Sequence, residues 1–376
     1  MAYTTIDDPS AYFQIATWSG DNATTQNITN DGNSDLQPDW VWVKCRNTAG
    51  NGFDHTVWDT SRGVDNNVNK SLSTSQPDFE GLGDNVTTTA QLGGVSAMLS
   101  DGFTVREGSV DDDSRYVNEN TRTYVAWQWK ANGGTTTTND ASSTGVGGLD
   151  SVYQANTTAG FSIVTYTGSG SNTTVAHGLG NIPEVIIFKK RTDDTEDWLV
   201  YHHTQGNASA GKLNTNAAWE TGSSSLFDST TPTSSVFSIK TNSKVNDSSD
   251  TYVAYCFSEV QGYSKFGSYK GNGNADGRFV YLGFKPALII VRATDTDNWR
   301  MYDHKRANAH NVIDVRIIAD TTAAESQDDN ECDFLSNGVK WRSSSGGVNS
   351  DGQAYTYMAW AEHPFVSSKG VPVTAR

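Results

Sequence analysis

The stretch that decides the fold is Thr123-Tyr124-Val125-Ala126-Trp127, because related copies stand at Thr251-Tyr252-Val253-Ala254-Tyr255 and Thr356-Tyr357-Met358-Ala359-Trp360. Each copy places β-branched and aromatic residues around a small alanine, a composition that favours a buried or half-buried strand. Each copy also closes a longer block of sequence. The recurrence therefore predicts a chain built from three related blocks.

Four further segments recur in the same order ahead of each closing strand: an opening strand, a proline-led strand, a third strand and a fourth. The proline-led strands follow Pro38, Pro183 and Pro286. A basic residue stands six positions after each proline, at Lys44, Lys189 and Arg292. This agreement in order and spacing supports the repeat independently of the closing strands.

Many short strand patterns separated by Gly, Asn and Asp turns predict an all-β fold. We expect a tandem array of three antiparallel β-sandwiches, for which jelly-roll and immunoglobulin-like topologies both stay open. The predicted boundaries are repeat 1 at 1–131, a Thr/Gly-rich linker at 132–157, repeat 2 at 158–262, repeat 3 at 263–366 and a C-terminal tail at 367–376. The linker composition favours a flexible or extended segment, so block one is expected to be hinged or offset from blocks two and three.

The composition argues against several classes of partner. The formal charge is −16 with a pI near 4.7, whereas a nucleic-acid backbone requires clustered Lys and Arg. The sequence shows no signal peptide and no apolar run long enough to cross a bilayer, so membrane insertion is not expected. Cys45, Cys256 and Cys332 stand apart with no CxxC pair, which predicts reduced, buried thiols.

Two pairs share an Asp-x-x-Arg spacing just after the third strand: Asp59 with Arg62, and Asp303 with Arg306. One interpretation is a turn held by a short ion pair, which contributes little if it is exposed. The alternative is a recognition pair for a partner. Block two departs from the pattern, because His202 and Gln205 occupy these places.

Trp219 and Trp129 do not fall at repeated strand positions, and Trp219 lies in a polar stretch. They are therefore candidates for stacking on a sugar or on a partner surface. Seven other tryptophans occupy repeated strand positions and are predicted to be core: Trp18, Trp58, Trp127, Trp198, Trp299, Trp341 and Trp360.

Acidic loops follow two of the proline-led strands, with Asp193 and Asp194 in block two and Asp295 and Asp297 in block three. Their oxygens are weak candidates for Ca²⁺ binding, but the Gly and the distal Glu of a calcium loop are absent. Solvated loops without a metal are therefore expected. No motif in the sequence predicts a catalytic residue or a cofactor.

The blocks resemble a repeated β domain of structural proteins from tailed bacteriophages, especially those that infect marine bacteria. The resemblance is carried by the segments 1–9, 283–290, 299–303 with Arg306, and 357–365. It implies a non-enzymatic virion surface protein, such as a tail fibre, a tail appendage or a capsid decoration, assembled in the host cytoplasm. The implied partners are other virion proteins and further copies of this chain, with a trimer favoured, and a host-surface glycan is a further expected partner. The alternative is a carbohydrate-binding or polysaccharide-degrading module.

Overall fold

The computed structural model describes residues 2–50, 53–63, 70–80, 93–108, 116–192, 195–223, 225–306 and 311–373. These residues form an all-β protein with several antiparallel sheets, as the sequence predicts. Their two α-helices, α1 (Ala141–Thr144) and α2 (Ser243–Asn246), have one turn each. No helix in the described ranges is long and apolar enough to cross a membrane.

The strands follow the blocks of the sequence. Block one contains β1 (Phe13–Ser19), β2 (Gln26–Ile28), β3 (Trp40–Cys45), β4 (Thr56–Asp59), β5 (Leu72–Ser73), β6 (Gly94–Met98), β7 (Phe103–Arg106) and β8 (Thr123–Trp129), after a 3₁₀-helix at Pro9–Ala11. Next come β9 (Thr137–Asn139), β10 (Ser151–Asn156), β11 (Phe161–Thr167), β12 (Thr173–Ala176), β13 (Val185–Lys190), β14 (Leu199–His202), a 3₁₀-helix at His203–Gln205, β15 (Ser209–Lys212), β16 (Glu220–Thr221), β17 (Val236–Ile239) and β18 (Thr251–Phe257). Block three contains β19 (Ser264–Lys270), β20 (Phe279–Tyr281), β21 (Phe284–Ala293), β22 (Arg300–Asp303), β23 (Ile313–Ile318), β24 (Ser326–Leu335), β25 (Gly338–Trp341) and β26 (Ala354–Pro364).

The three long sheets share one strand order. It runs β1-β8-β3-β4-β5 in block one, β11-β18-β13-β14-β15 in block two and β19-β26-β21-β22-β23 in block three. In each sheet the closing strand therefore lies between the opening strand and the proline-led strand. Blocks one and two each add a small separate sheet, β2-β7-β6 and β12-β17, whereas in block three β24, β25 and β20 continue the long sheet. One of the sheets forms a nearly closed barrel.

A buried tyrosine aligns the closing strands, because its hydroxyl accepts a hydrogen bond from the backbone N–H five residues earlier. The bonds are Glu119 N to Tyr124 (2.9 Å), Asp247 N to Tyr252 (2.7 Å) and Ser350 N to Tyr355 (2.8 Å). The sequence alignment, which placed Tyr357 with Tyr124, is therefore wrong by two residues in block three. Tyrosines alternate there, and a shift of two keeps every side chain on the same face, so the pattern fits both registers.

The two central strands of each long sheet are buried on both faces over most of their length. One face packs inside its own block, in three separate clusters that include Cys45, Cys256 and Cys332. These cysteines are free and buried, which confirms the prediction from their spacing. The opposite faces of all three sheets meet in a single hydrophobic cluster, which we call the shared core.

Aromatic rings dominate the shared core. Trp40 of block one lies 4.5 Å from Tyr255 of block two, measured between ring centroids. Trp360 of block three lies 5.2 Å from Trp129 and 5.4 Å from Phe257. Large rings bury the most area per residue, so this contact stabilises all three blocks together. The expected hinge before block two is therefore wrong, because block one packs directly against its neighbours.

The predicted linker at 132–157 is also folded. It forms β9, α1 and β10, and β10 pairs with β11 at the edge of the block-two sheet. At its start, the backbone N–H groups of Gly133 and Gly134 donate to the Asp39 carboxylate at 2.8 and 2.7 Å. The threonines that suggested a flexible segment are β-branched, which suits them equally to a short exposed strand.

Candidate functional site

The contacts between blocks follow a cyclic pattern. Trp198 Nε1 of block two donates to Ser73 O of block one at 2.6 Å, and Trp299 Nε1 of block three donates to Lys212 O of block two at 2.7 Å. His55 of block one occupies the corresponding position, and its Nε2 lies 3.0 Å from Ile318 O of block three. The three bonds run in the same direction around the molecule, so the blocks form a ring.

The tautomer of His55 follows from its second contact. Its Nδ1 lies 2.9 Å from Nε1 of Trp42, and an indole nitrogen can only donate. Nδ1 therefore accepts, and Nε2 carries the proton that reaches Ile318 O. Burial, reinforced by the charge of Lys44, lowers the pKa of His55 well below its ordinary value, so the His55 imidazole stays neutral.

The repeated basic residues lie between blocks as well. Lys189 Nζ donates to Pro77 O of block one at 2.9 Å, Lys44 Nζ to Thr322 O of block three at 3.4 Å, and Arg292 to Ala217 O of block two. These bonds run in the same direction as the ring bonds above. Burial lowers the pKa of Lys44 and of Lys189 to about 8 and that of Arg292 to about 10.

Asp59 and Arg62 form an ion pair with no exposed side-chain surface, with 2.5 Å between Arg62 Nε and Asp59 Oδ2. Tyr255 of block two donates its hydroxyl to the same carboxylate oxygen at 2.6 Å. Glu80 lies 4.0 Å from Arg62 and binds Arg191 of block two. Burial opposes the Arg62 charge, but Asp59, Tyr255 and Glu80 outweigh it and raise the pKa of Arg62.

Asp303 and Arg306 repeat this arrangement at the next interface, again fully buried, with 2.6 Å between Arg306 Nε and Asp303 Oδ2. Trp127 Nε1 of block one donates to Asp303 at 3.0 Å. Glu325 accepts from Arg306 at 3.1 Å and from Arg46 of block one at 2.9 Å. Burial opposes the Asp303 charge, but Arg306 outweighs it and lowers the pKa of Asp303. The pairs hold interfaces inside the molecule, and neither lies at its surface.

Block two replaces this whole network with other residues. His202 stands in the position of the aspartate, and its Nε2 lies 3.2 Å from Tyr357 O of block three. Trp219 occupies the position that Glu80 has in block one and Glu325 in block three. The backbone N–H of Trp219 donates to Thr294 O at 3.2 Å, just as the backbone N–H groups of the two glutamates donate to Arg191 O and Arg46 O. An aromatic contact thus replaces an ionic one.

Both tryptophans proposed for ligand stacking are buried, contrary to the expectation from their positions. Trp219 is 6 % exposed and packs against Trp299 at 6.1 Å and His202 at 6.4 Å. Trp129 is 1 % exposed and lies in the shared core. The polar residues around Trp219 predicted an exposed loop, but the Trp219 side chain packs between blocks two and three.

The acidic loops offer no cluster of metal ligands among the described residues. Asp297 accepts from Arg300 at 2.7 Å, and Asp295 lies in the same loop. Asp193 and Asp194 lie outside the described ranges.

A cleft of about 240 Å³ lies where block three meets block one, and we call it the ring-closing cleft. Its walls come from the N-terminal segment, β1 and the loop at residues 31–33 on one side and from β21, β26 and the turn after β22 on the other. Glu362 lines the cleft, forms an ion pair with Lys285 Nζ at 2.8 Å and accepts a hydrogen bond from His304 Nδ1 at 3.0 Å. Burial opposes the Glu362 charge, but His304 and Lys285 outweigh it and lower its pKa to about 2. The Glu362 side chain in the cleft is therefore an ionised carboxylate at neutral pH.

The ring bonds give a stability prediction for two neighbouring tryptophans. Trp299→Phe removes the donor to Lys212 O, whereas Trp219→Phe removes an indole N–H that has no hydrogen-bond partner among the described residues. We expect Trp299→Phe to lower the free energy of unfolding by about 1 kcal/mol more than Trp219→Phe, since it removes a short hydrogen bond and leaves Lys212 O with only the longer bond from Arg292 Nη1 at 3.3 Å. Urea unfolding of the two variants measures the difference, and equal losses would contradict the role of the ring bond.

The chain was compared with known protein families, curated proteins and solved structures. Residues 8–364 match the family described as Domain of unknown function (DUF7483). No curated protein matches the chain. No solved structure matches it either. The family match covers most of the sequence, from the 3₁₀-helix before β1 to the end of β26, and the chain therefore belongs to the DUF7483 family.

Proposed function

We propose that this chain is a non-enzymatic structural protein of a bacteriophage virion, as a tail fibre, tail appendage or capsid decoration. The observation that carries the proposal is that the side chains most capable of chemistry are engaged in contacts between blocks. Both Asp-Arg pairs, His55 and the repeated basic residues are buried and bind neighbouring blocks, so their hydrogen bonds hold the molecule together. Side chains engaged in this way serve assembly and rigidity better than turnover.

We further propose that the ring consists of three tandem β-sandwich domains. The common strand order of the long sheets supports this, as do the small sheets β2-β7-β6 and β12-β17 and the separate cluster inside each block. The tyrosine whose hydroxyl binds the backbone five residues earlier resembles the tyrosine corner of immunoglobulin-like sandwiches, and this favours that topology over a jelly roll.

The proposed location is the virion surface, after assembly in the host cytoplasm with other virion proteins. The resemblance of the blocks to phage structural domains supports this, and the net charge of −16 suits a protein that stays soluble at high concentration before assembly. A homo-oligomer, with a trimer favoured, stays a prediction. Light scattering on the purified chain tests it against the 40.7 kDa mass of one copy.

Immunogold electron microscopy tests the proposal directly. Antibodies against the purified chain should label intact particles of the phage that encodes it, at one defined part of the virion. A matched phage without the gene is the control for background labelling. Label found only in the lysate, with bare particles, would overturn the proposal.

The alternative of a carbohydrate-binding or polysaccharide-degrading module loses the observation that suggested it, because Trp219 is buried and cannot stack on a sugar. The ring-closing cleft provides a different observation in favour of sugar binding alone. Its lining combines apolar side chains with carboxylate, imidazole and amide groups, which is the usual make-up of a small-molecule site.

A further inference from the structure

The ring has three interfaces between blocks, and the residue after the third strand marks the same place in each. This residue is Thr60 in block one, His203 in block two and His304 in block three. Thr60 Oγ1 accepts from Gln154 Nε2 at 2.7 Å, and His203 Nε2 lies 2.9 Å from Phe266 O. At two of the interfaces, a direct hydrogen bond therefore joins the neighbouring blocks at this place.

The third interface is different. His304 binds Glu362 of its own block, and the ring-closing cleft lies between these residues and β1 of block one. This is also the interface where no peptide segment links the neighbouring blocks in sequence, because block three ends the ring and block one begins it. Among the described residues, the hydrogen bond that joins blocks at this place in two interfaces is therefore missing at the third, where the ring-closing cleft lies.

Most of the charges around the cleft already have partners. Glu362 pairs with Lys285 and accepts a hydrogen bond from His304 Nδ1, and Lys305 binds Asp31 across the cleft. Asp8 accepts hydrogen bonds from the hydroxyls of Ser10 at 2.6 Å and Ser34 at 2.7 Å. Both lysines are already paired, so an anion entering the cleft would meet no free positive charge. A neutral ligand with many hydroxyl groups can instead donate hydrogen bonds to the carboxylates.

The lining provides both kinds of contact that such a ligand needs. Asp31, Asn33 and His304 provide hydrogen-bond donors and acceptors at the edge, and carboxylate, amide and imidazole groups together serve both roles of a hydroxyl. Phe13 and Ala287 contribute apolar surface. The volume of about 240 Å³ is below the usual range for drug-sized ligands, which limits the occupant to about one sugar ring.

We propose that the ring-closing cleft binds one neutral monosaccharide unit through Asp31, Asn33 and His304. The proposal deepens the proposed function, because a sugar at the end of a host-surface glycan would be the host molecule that the virion protein contacts. The binding itself does not depend on virion location. Immunogold labelling therefore tests the proposed function, and sugar titration tests the cleft.

The test is NMR of the full chain with ¹³C-labelled alanine methyl groups, because Ala287 and Ala361 line the cleft. The probes are the methyl glycosides of glucose, galactose, mannose and N-acetylglucosamine, which mimic a terminal glycan residue, and the corresponding free sugars. At least one glycoside should shift these two methyl signals with a Kd of about 1 mM, typical of a small exposed site. If the free sugars shift these signals and the methyl glycosides do not, the cleft binds free sugars, and the proposal that it binds the end of a glycan is wrong.

Asn33→Trp fills the cleft from an exposed position and should abolish the shifts. Ser234→Trp, at an exposed position of block two, is the matched control and should preserve them. If Asn33→Trp disturbs methyl signals outside the cleft, Asp31→Ala replaces it, since that side chain is 69 % exposed, and the apparent Kd should rise severalfold. The proposal is overturned if no sugar shifts Ala287 and Ala361, if the shifts persist unchanged in the cleft variants, or if inorganic phosphate shifts them and the glycosides do not.

Discussion

Asp303→Ala should lower the free energy of unfolding by about 3–5 kcal/mol, the usual cost of leaving a buried charge without its partner. The Arg306 guanidinium would lose its shortest contact inside the molecule, and Trp127 Nε1 would lose its acceptor. Glu325 compensates only in part, because it is shared with Arg46. Urea unfolding followed by tryptophan fluorescence measures the change.

A double-mutant cycle separates the buried pair from general disruption. Asp303→Asn and Arg306→Met should each be costly alone, because the first removes the charge that faces Arg306 and the second strands the Asp303 carboxylate. The two changes together should cost less than either one. The amide still accepts from Trp127 Nε1 in the double variant. Asp276→Ala, which breaks an exposed pair with Lys340, is the matched control and should leave the unfolding midpoint unchanged. Losses that simply add would contradict a coupled buried pair.

Acid should destabilise the folded protein through three buried histidines. Burial lowers the pKa of His202 to about 3 and that of His177 to about 4, and burial with the charge of Lys44 lowers that of His55 well below its ordinary value. A folded-state pKa below the unfolded value of 6.5 means that unfolding takes up protons. The stability from neutral histidine is therefore complete above pH 6.5 and is lost as the pH falls towards the folded-state pKa.

Together the three histidines should remove about 3–4 kcal/mol from the free energy of unfolding between pH 6 and pH 5. Asp39 and Asp320, whose pKa values are raised by burial, act in the opposite direction, so the sharper test compares variants. His202→Gln should lose about 1 kcal/mol less than the wild type over this pH range. Urea unfolding at constant ionic strength gives both values. Parallel pH profiles for the two proteins would contradict a neutral, buried His202.

Local sequence patterns predict most of the fold. Alternating and β-branched segments mark the strands, and the repeated prolines with Lys44, Lys189 and Arg292 identify three blocks. The same patterns cannot distinguish registers two residues apart, and Tyr355 and Tyr357 were confused for that reason. Composition also failed for the segment 132–157, where threonines suit both an extended linker and an edge strand.

The interfaces between blocks could not be predicted, because each bond joins residues far apart in sequence whose partner depends on the ring. One signal was present in the sequence. Block two lacks both members of the Asp-x-x-Arg pair, and His202 and Gln205 changed together. A coordinated difference of this kind indicates that the two positions share one environment. The structure adds two further positions to the set, because Trp219 and Thr294 stand where the other interfaces have a glutamate and an arginine. The ring-closing cleft had no local signal, since its walls come from opposite ends of the chain.

Calorimetric unfolding of the intact chain tests the central claim most directly, namely that three blocks form one ring around a shared core. Because the large aromatic rings of all three blocks pack together, the chain should unfold in a single transition, with a ratio of calorimetric to van't Hoff enthalpy of about 1. Asp303→Ala should move that whole transition to lower temperature. Separate transitions, with block one unfolding independently of blocks two and three, would contradict the ring.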